Sequence, residues 1–347
     1  SPLCMSCTFG IPTRQRLEMP QLLKDIGEKR LIREVVRKGW KATKGILPLN
    51  DDAQIITPPL SFKYPQLIST DRTPSNLRPL VWGIYDYEQY GQYHAISNLS
   101  DIAAMGAKPF GYLLNIAAPA TLDLEIFKSV FDGVIATLAK YETVLLGGDT
   151  KEGAELNLVG VALGQSWKET VLTRSDCRIG DKLIVSGGQL GSIPAAHALF
   201  ARLGWRQANI HEQKLTDAFH QFAPQIVEAK LLQDSGVCTS CMDNSDGLMA
   251  SLDEIADASG VGFKLNLNAI EVSDQVGYVA SILHRDPVEL LLGAGGDFRL
   301  VATVREFLPE LSGHFYEIGE ACEAGSSMSD PGAANWSGVS RWNHFST

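Results

Sequence analysis

The amino-acid sequence predicts an α+β protein of two domains, each a layered arrangement of helices and strands. Its 347 residues exceed one ordinary domain and correspond to about two. Apolar residues make up 45% and charged residues 20%, which is the balance of a folded globular chain. Helical and strand-like apolar patterns alternate along the chain and lapse into polar residues from Trp167 to Asp181. We therefore expect the domains to comprise residues 1–168 and 169–347.

In the first half, the clearest element is an amphipathic helix. Apolar residues recur at intervals of three or four from Leu124 to Tyr141, which places them on one face. A short apolar strand, Thr143–Leu146, follows and ends in glycines. The other predicted elements of this half are a helix beginning at Gln21, strands at Gln54–Thr57, Gln66–Thr70, Gly111–Ala117 and Glu155–Gly164, and a helix at Tyr87–Met105.

The second half begins again with a strand and a glycine-containing loop. Strand Lys182–Ser186 precedes Gly187 and Gly188, and the long segment Gln233–Ser245 reads as a loop. The remaining predicted elements are helices at Leu190–Arg202, Lys214–Leu232 and Gly247–Ala258, and strands at Gly262–Leu267 and Phe298–Val304. This alternation favours layers of helices against sheets.

Composition narrows the classes of function. Thirty Lys and Arg residues against forty Asp and Glu residues give a net charge of −10. A nucleic-acid partner is disfavoured, because such binding depends on a basic surface that neutralises phosphates. No apolar stretch approaches the ~18 residues of a membrane span, and residues 1–16 contain no apolar signal segment. We expect a cytoplasmic protein without a membrane partner, and a carboxylate-rich site that needs divalent cations.

Two C-x-x-C pairs leave an alternative open. Cys4 and Cys7 form one pair, and Cys238 and Cys241 form the other, more than 230 residues later. Two such pairs can hold a tetrahedral zinc ion, and one pair can be redox-active. The favoured interpretation is that the second pair contributes two buried thiols to a loop.

Aspartates recur at the ends of apolar strands. Asp71 follows Ile68-Ser-Thr, and Asp149 follows Leu145-Leu-Gly-Gly and precedes Thr150. Carboxylates that converge from strand ends repel each other unless a cation lies between them. Magnesium prefers oxygen ligands and commonly bridges to nucleotide phosphates, and neighbouring glycines let backbone N–H groups approach those phosphates. The pattern therefore predicts a magnesium and nucleotide site.

The aspartates stand in motifs that resemble those of a known family. The most specific is Asn98-Leu-Ser-Asp-Ile-Ala-Ala-Met-Gly-Ala107. The others are Asp51-Asp-Ala53, Ser69-Thr-Asp71, Gly147-Gly-Asp-Thr150, Thr173-Arg-Ser175 and Asp243-Asn-Ser-Asp-Gly-Leu248. Together they resemble thiamine-monophosphate kinases, of the superfamily that includes aminoimidazole ribonucleotide synthetase and selenophosphate synthetase. The likeness extends from Leu47 to Phe345.

The resemblance implies a fold, a reaction and partners. The fold is the two-domain aminoimidazole-ribonucleotide-synthetase-like fold, with an N-terminal α/β domain that dimerises and a C-terminal layered α/β domain that completes the site. The reaction is Mg²⁺- and ATP-dependent transfer of a phosphoryl group to a small molecule by a homodimer. Phosphoryl transfer needs positioning and charge neutralisation, which aspartate-bound Mg²⁺ supplies.

The resemblance also implies site residues. Those implied to hold metal ions are Asp52, Ser69, Thr70, Asp71, Asp101, Asp149, Asp243 and Asp246. Those implied to contact ATP are Gly148, Asp149, Arg174 and Ser245. Asp101 and Asp246 are the expected catalytic residues, and Trp342 is implied to stack on the ring of the acceptor.

The chain departs from the family pattern on the acceptor side. The segment from Arg72 to Pro79 replaces a Val-Glu-Gly-Val-His-Phe-like segment, and brings Arg78 near the place of the family's His. In the motif Gly-Gly-Glu-Asp-Tyr-Glu-Leu, Gly296 replaces the first Glu. These changes predict the same chemistry on an acceptor other than thiamine monophosphate.

Three alternatives stay open at this point. One is an ATP-dependent ligase or cyclase that activates a carbonyl oxygen as a phosphate. Another is a genuine but divergent thiamine-monophosphate kinase. The third is not an enzyme but a regulatory subunit that binds nucleotide.

Overall fold

The structure is a computed structural model that describes residues 54–56, 63–187, 190–270 and 272–324. Several predicted features lie outside these ranges. They are the helix beginning at Gln21, the pair Cys4 and Cys7, Asp52, and Trp342.

The first half is a five-stranded sheet covered by helices on one face. Its strands are β1 (Gln54–Ile56), β2 (Gln66–Pro74), β3 (Ala107–Ala118), β4 (Val144–Glu152) and β5 (Asn157–Ser166), in the order β1-β2-β5-β3-β4. Among the described residues of this sheet, only β3 and β4 pair in parallel. Its helices are α1 (Arg78–Val81), α2 (Tyr87–Ala104) and α3 (Leu124–Lys140). Residues of β5 alternate between buried and half-buried, as expected when one face of a sheet packs against helices.

The second half is another five-stranded sheet, in which every pairing is antiparallel. Its strands are β6 (Lys182–Ser186), β7 (Cys238–Asp243), β8 (Val261–Leu265), β9 (Leu300–Val304) and β10 (Phe315–Glu323), in the order β7-β9-β6-β10-β8. Its helices are α4 (Ser192–Leu203), α5 (Ile210–Ala218), α6 (Ile226–Ser235), α7 (Leu248–Ser259), α8 (Asp274–Leu283) and α9 (Pro287–Leu291). Helices pack on both faces, since one apolar cluster involves α7 and another involves α6.

The structure corrects three predicted elements. The helix expected over Lys214–Leu232 is two helices, α5 and α6, and Pro224 in the break between them has no N–H to continue a helix. The segment Gln233–Ser245, expected to be a loop, contains the buried strand β7. Its Cys-Thr-Ser-Cys sequence lacks the aliphatic residues that usually indicate a strand. Strand β4 does not end at the glycines but continues to Glu152.

Helices α2 and α3 touch backbone to backbone. A Cβ atom added to Gly91 would lie 2.0 Å from the carbonyl oxygen of Val130. One added to Gly133 would lie 1.9 Å from the carbonyl oxygen of Glu88. Both positions therefore accept only glycine at this helix spacing. In the ranges that the structure describes, no helix is both long and apolar enough to cross a membrane.

Candidate active site

Strand β2 continues to Pro74, so Ser69 and Asp71 lie within the strand and not at its end as expected. Together with helix α2, this strand holds two of the predicted carboxylates. The hydroxyl of Ser69 donates a hydrogen bond to the carboxylate of Asp101. The amide oxygen of Asn98 accepts from the backbone N–H of Asp71 at 3.0 Å, and its amide nitrogen donates to the carbonyl of His94 at 2.9 Å. Asn98 is fully buried, so it ties the strand to the helix. Asp71 and Asp101 are therefore positioned by rigid elements.

Helix α2 also reaches the second half. Asp243, at the end of β7, is buried, and its Oδ2 accepts a hydrogen bond from the Ser100 hydroxyl at 2.5 Å. Its other oxygen accepts from the Ser245 hydroxyl at 2.9 Å. Because Ser100 and Asp101 are consecutive, one turn of α2 contacts both sheets, through Ser69 on β2 and Asp243 on β7. Asp246 follows in the same turn after β7.

Two buried tyrosines lie within electrostatic range of these carboxylates. Burial raises the pKa of the Tyr93 phenol, and the negative charges of Asp71, Asp246 and Asp243 raise it further. Burial also raises the pKa of Tyr112, with further contributions from Asp71 and Asp101. The structure thus brings the four carboxylates Asp71, Asp101, Asp243 and Asp246 into one region.

Gly148 and Asp149 lie elsewhere, on the edge strand β4. Three strand spacings separate β4 from β2, which is about 14 Å in a flat sheet. The Asp149 side chain is 57% exposed, and Lys151 lies 3.7 Å from its carboxylate. Between β4 and α3 is a cleft of 370 Å³, and its lining includes Gly148, Asp149, Phe127 and Phe131. This edge offers a cleft beside a carboxylate rather than a cluster of carboxylates.

The other predicted residues have separate surroundings. Thr70 lies on the opposite face of β2 from its neighbours and donates to the carbonyl of Gly160 at 2.7 Å. The Arg174 guanidinium forms an ion pair with Glu254 at 3.3 Å. Arg78 is exposed on α1. Asp52 and Trp342 lie outside the described residues, so their predicted roles stay predictions.

Within residues 63–324, so far as they are described, no three Asp, Glu, His or Cys side chains gather closely enough to hold one metal ion. Cys238 and Cys241 lie on β7, and burial raises the pKa of Cys238 to about 12. An uncharged thiol is a poor metal ligand and a poor nucleophile. The carboxylate and hydroxyl oxygens do suit Mg²⁺, which usually takes one or two protein carboxylates and completes its shell with water and phosphate oxygens.

Sequence reasoning missed three residues that organise this region, Tyr93, Asn98 and Ser100. The signal was present, because Tyr93, Ser97, Ser100 and Asp101 follow helical spacing and share one face of α2. The structure also shows why position 296 carries no side chain. A Cβ added to Gly296 would lie 1.5 Å from the carbonyl oxygen of Asn244.

Two five-stranded sheets are linked by helix α2, and carboxylates line the place where they meet. This arrangement defines a class of proteins, and comparisons with known proteins place the chain in that class. Residues 50–166 match the N-terminal domain of the AIR synthase related proteins, and residues 178–330 match their C-terminal domain. A thiamine-monophosphate kinase of Corynebacterium glutamicum is 30% identical over 284 residues, covering 80% of this chain and 82% of that protein. The chain belongs to the thiamine-monophosphate kinase family of these AIR synthase related proteins.

A second relative and two solved structures extend the comparison, the structures for the fold alone. A thiamine-monophosphate kinase of Halobacterium salinarum is 35% identical over 211 residues, covering 60% of this chain and 66% of that protein. The structure of AaThiL complexed with AMPPCP and TMP has the same fold, with a TM-score of 0.80, 23% identity, and coverage of 94% and 99% of the two chains. The hydrogenase maturation protein HypE in complex with ATP shares the fold at a TM-score of 0.62 and 20% identity, covering 93% and 97%.

Family membership confirms the main prediction from the sequence. The protein is an ATP-dependent kinase with the two-domain fold of the AIR synthase related proteins. ATP is the phosphoryl donor, and Mg²⁺ is the usual metal of such kinases. The oxygen-donor chemistry around helix α2 fits that metal.

Proposed function

We propose that this kinase transfers the γ-phosphoryl group of Mg-ATP to a small-molecule acceptor other than thiamine monophosphate. The observation that supports the transfer site is the meeting of four carboxylates around helix α2, two from each half of the chain. The observation that supports another acceptor is the segment from Arg72 to Pro79, where Arg72 and Arg78 stand in place of the residues of the family pattern. The protein's domains in this proposal are residues 1–168 and 169–347, and its location is the cytoplasm, where ATP and Mg²⁺ are available.

The aspartates have a common role in this proposal. Mg²⁺ would be held by Asp71 and Asp101 on one side and by Asp243 and Asp246 on the other. Asp52, Ser69 and Thr70 complete the proposed set, with Asp149 holding an ion at the far edge. When bound, the metal neutralises charge on the transferring phosphoryl group. Asp101 and Asp246 are the catalytic residues of this proposal and act at the reacting phosphate. Ser100 holds Asp243 by a hydrogen bond, and Asn98 holds the backbone of Asp71.

The nucleotide belongs in the cleft between β4 and α3. Phe127 and Phe131 supply an apolar wall suited to a purine ring, and the backbone at Gly148 can approach phosphate oxygens. Arg174 and Ser245 contact ATP in this proposal, which requires Arg174 to exchange its bond to Glu254 for one to phosphate. Substitution of Phe131 by Ala should raise the Kd for ATP about tenfold, measured by calorimetry with Mg²⁺ present. An unchanged Kd would remove this cleft from the proposal.

The acceptor side supports a change of substrate. Helix α1 and Trp82 pack against helices of the second half, and Arg78 is exposed beside them. Thiamine monophosphate carries a cationic thiazolium, which a nearby arginine repels. Trp342 could still stack on a flat acceptor. An acceptor that is neutral or carries its own anion is favoured, because arginine binds carboxylate and phosphate in a bidentate way.

Steady-state kinetics with ATP and thiamine monophosphate tests the acceptor. We expect kcat/KM far below ~10⁴ M⁻¹s⁻¹, the lower end of ordinary enzyme values. A value at or above that level would support the second candidate, a divergent thiamine-monophosphate kinase. That candidate is favoured by the 30% identity to the Corynebacterium glutamicum kinase. Assays with a panel of acceptors then distinguish the remaining alternatives. A kinase gives a phosphorylated acceptor, a ligase or cyclase gives ADP and a condensed product, and a regulatory subunit binds nucleotide without reaction.

We further propose a homodimer that pairs through the open face and edge of the first sheet. Val144 and Leu146 on β4 are 59% and 56% exposed, and Phe110 and Leu113 on β3 are 40% and 36% exposed. Such a group of exposed apolar side chains on a sheet edge is typical of an interface. Light scattering at micromolar concentration should give twice the 37.7 kDa chain mass. The double variant Val144→Asp, Leu146→Asp should be monomeric, and a monomeric parent protein would contradict the assembly.

A further inference from the structure

Arg299, at the start of strand β9, has a guanidinium group without a hydrogen-bonding or ion-pair partner among the described residues. Its Nε atom is buried and unpaired, and the whole residue is half-buried. A charged group that loses water without gaining a partner is costly, so such groups are normally paired. An unpaired arginine in this position therefore suggests that its partner is a ligand.

The backbone of Arg299 is fixed to the turn that carries the second pair of carboxylates. Its N–H donates to the side-chain oxygen of Asn244 at 2.7 Å, and its carbonyl accepts from the N–H of Asn244 at 2.8 Å. Asn244 lies between Asp243 and Asp246. Arg299 is thus anchored beside the proposed reaction site while its side chain remains available.

The neighbouring carboxylate is already engaged. Asp297 accepts from the backbone N–H groups of Gly191 at 2.9 Å and Ile193 at 3.2 Å, at the beginning of α4. Phe298, between Asp297 and Arg299, has a φ of 53°, which is a strained backbone for a bulky residue. This turn directs Asp297 to the helix and leaves Arg299 without a hydrogen bond from it. Strain of this kind is concentrated at functional sites.

The side chain of Arg299 lies against the backbone at Gly187 and next to a group of aromatic residues. A Cβ added to Gly187, whose φ is +76°, would lie 2.2 Å from Nη1 of Arg299, so the guanidinium packs directly on the backbone there. The ring of Phe298 lies 5.0 Å from that of Phe222 and 5.8 Å from that of Tyr93. Tyr93 is in turn close to the carboxylates of both halves. Aromatic side chains thus connect the arginine with the carboxylates.

We propose that Arg299 binds an anionic group of the acceptor, a carboxylate or a phosphate, and so determines the acceptor's class. This inference rests on the proposed function, because it takes the acceptor to bind on this side of the carboxylates. The planar guanidinium suits both anions through paired N–H donors. In the family motif quoted above, this position is the second Glu, so the chain has exchanged an anion for a cation. That exchange goes beyond Gly296 and Arg78, because here the guanidinium is partly buried. Among the described residues it has no hydrogen bond or ion pair, although the charge of Asp297 acts on it.

The test is calorimetric binding of two simple anions, inorganic phosphate and acetate, to the full-length protein. Titrations are made first without nucleotide and then with AMPPCP and Mg²⁺ at saturation. We expect millimolar binding of at least one anion with AMPPCP present, weakened at least tenfold by Arg299→Gln. Arg299→Lys should retain part of the binding, since lysine keeps the positive charge but lacks the paired N–H donors of the guanidinium. Arg202→Gln, at an exposed arginine in the last turn of α4, is the control and should leave binding unchanged.

Each outcome decides a different point. Equal anion binding by the parent protein and Arg299→Gln would overturn the proposal, and so would the absence of anion binding to the parent protein in both titrations. If Arg299→Gln weakens AMPPCP instead, the residue serves the nucleotide and the acceptor assignment is wrong. Failure of AMPPCP to bind the parent protein would contradict the proposed function, while the titration without nucleotide would still test Arg299. The preferred anion shows whether the acceptor carries carboxylate or phosphate.

Discussion

The carboxylates at helix α2 and the carboxylate on strand β4 are held in opposite ways. Asp101 and Asp243 each accept a hydrogen bond from a serine, and Asp243 is 2% exposed. Asp149 is 57% exposed, and its nearest cation is the exposed Lys151. The first group is preorganised by the fold, so binding a cation requires little rearrangement there. Asp149, by contrast, is exposed to solvent on the lining of the cleft, and the fold does not fix its surroundings in the same way.

The largest expected effect distinguishes these two groups. Asp101→Asn and Asp149→Asn should each reduce Mg²⁺-supported turnover of ATP at least 1,000-fold, because each removes a negative charge from a site for a divalent ion. Only Asp101→Asn should also change thermal stability, since Asp149 is exposed. Turnover and melting curves for both variants check this, with Glu306→Gln, at an exposed carboxylate, as the neutral control. Undiminished turnover in both would remove these residues from the site.

A substitution at Gly148 tests the edge strand. A Cβ added there would lie 1.8 Å from the carbonyl oxygen of Leu114, and the φ of Gly148 is +156°. Gly148→Ala should push β4 away from β3, with a loss of about 3 kcal/mol of stability and of nucleotide binding. Denaturation and ATP titration measure both effects. Gly277→Ala is the matched control, because nothing lies within 4 Å of its added Cβ and alanine favours the helix.

Removal of one hydroxyl tests the link between the halves. Ser100→Ala leaves Asp243 without its hydrogen bond from α2, which should cost about 2 kcal/mol of stability and lower kcat about tenfold. Ser97→Ala is the control, since the Ser97 hydroxyl bonds only to the His94 carbonyl within the same helix. Equal kcat values for the two variants would show that Ser100 has no special role.

The smallest expected effect is a dependence of stability on pH that comes from His94, one helical turn before Asn98 on α2. Burial lowers the pKa of His94 from 6.5 to about 3, so the imidazole is neutral in the folded protein. The unfolded chain binds a proton below pH 6.5 that the folded chain does not, and stability is therefore lost as pH falls. Between pH 7 and 5.5 the loss should be about 1 kcal/mol. Urea denaturation of the parent protein and of His94→Gln checks this, since the variant should lack that part of the pH dependence.

The placement of some predicted residues could be anticipated from local sequence, because a short motif puts its residues on one strand face or one helix face. Ser69 and Asp101 are hydrogen-bonded in the structure, while their roles stay predictions. The separation of Asp149 from them could not be predicted, because it depends on strand order, and β5 inserts between β2 and β3. The proposed role of Arg299 depends on the backbone of Phe298, whose positive φ no propensity indicates.

The close approach of helices α2 and α3 at Gly91 and Gly133 sets a limit on how the sequence can vary. Neither residue touches the site, yet any side chain at either position would meet a carbonyl oxygen within 2.0 Å. Helix α3 leads through Tyr141 into strand β4, while α2 carries Asp101, so this contact sets the spacing of the two carboxylate groups. In a library covering every single substitution, these two glycines should tolerate change as poorly as the aspartates. Activity alone would then mark them as catalytic, and only their loss of folding would reveal their role as the spacer.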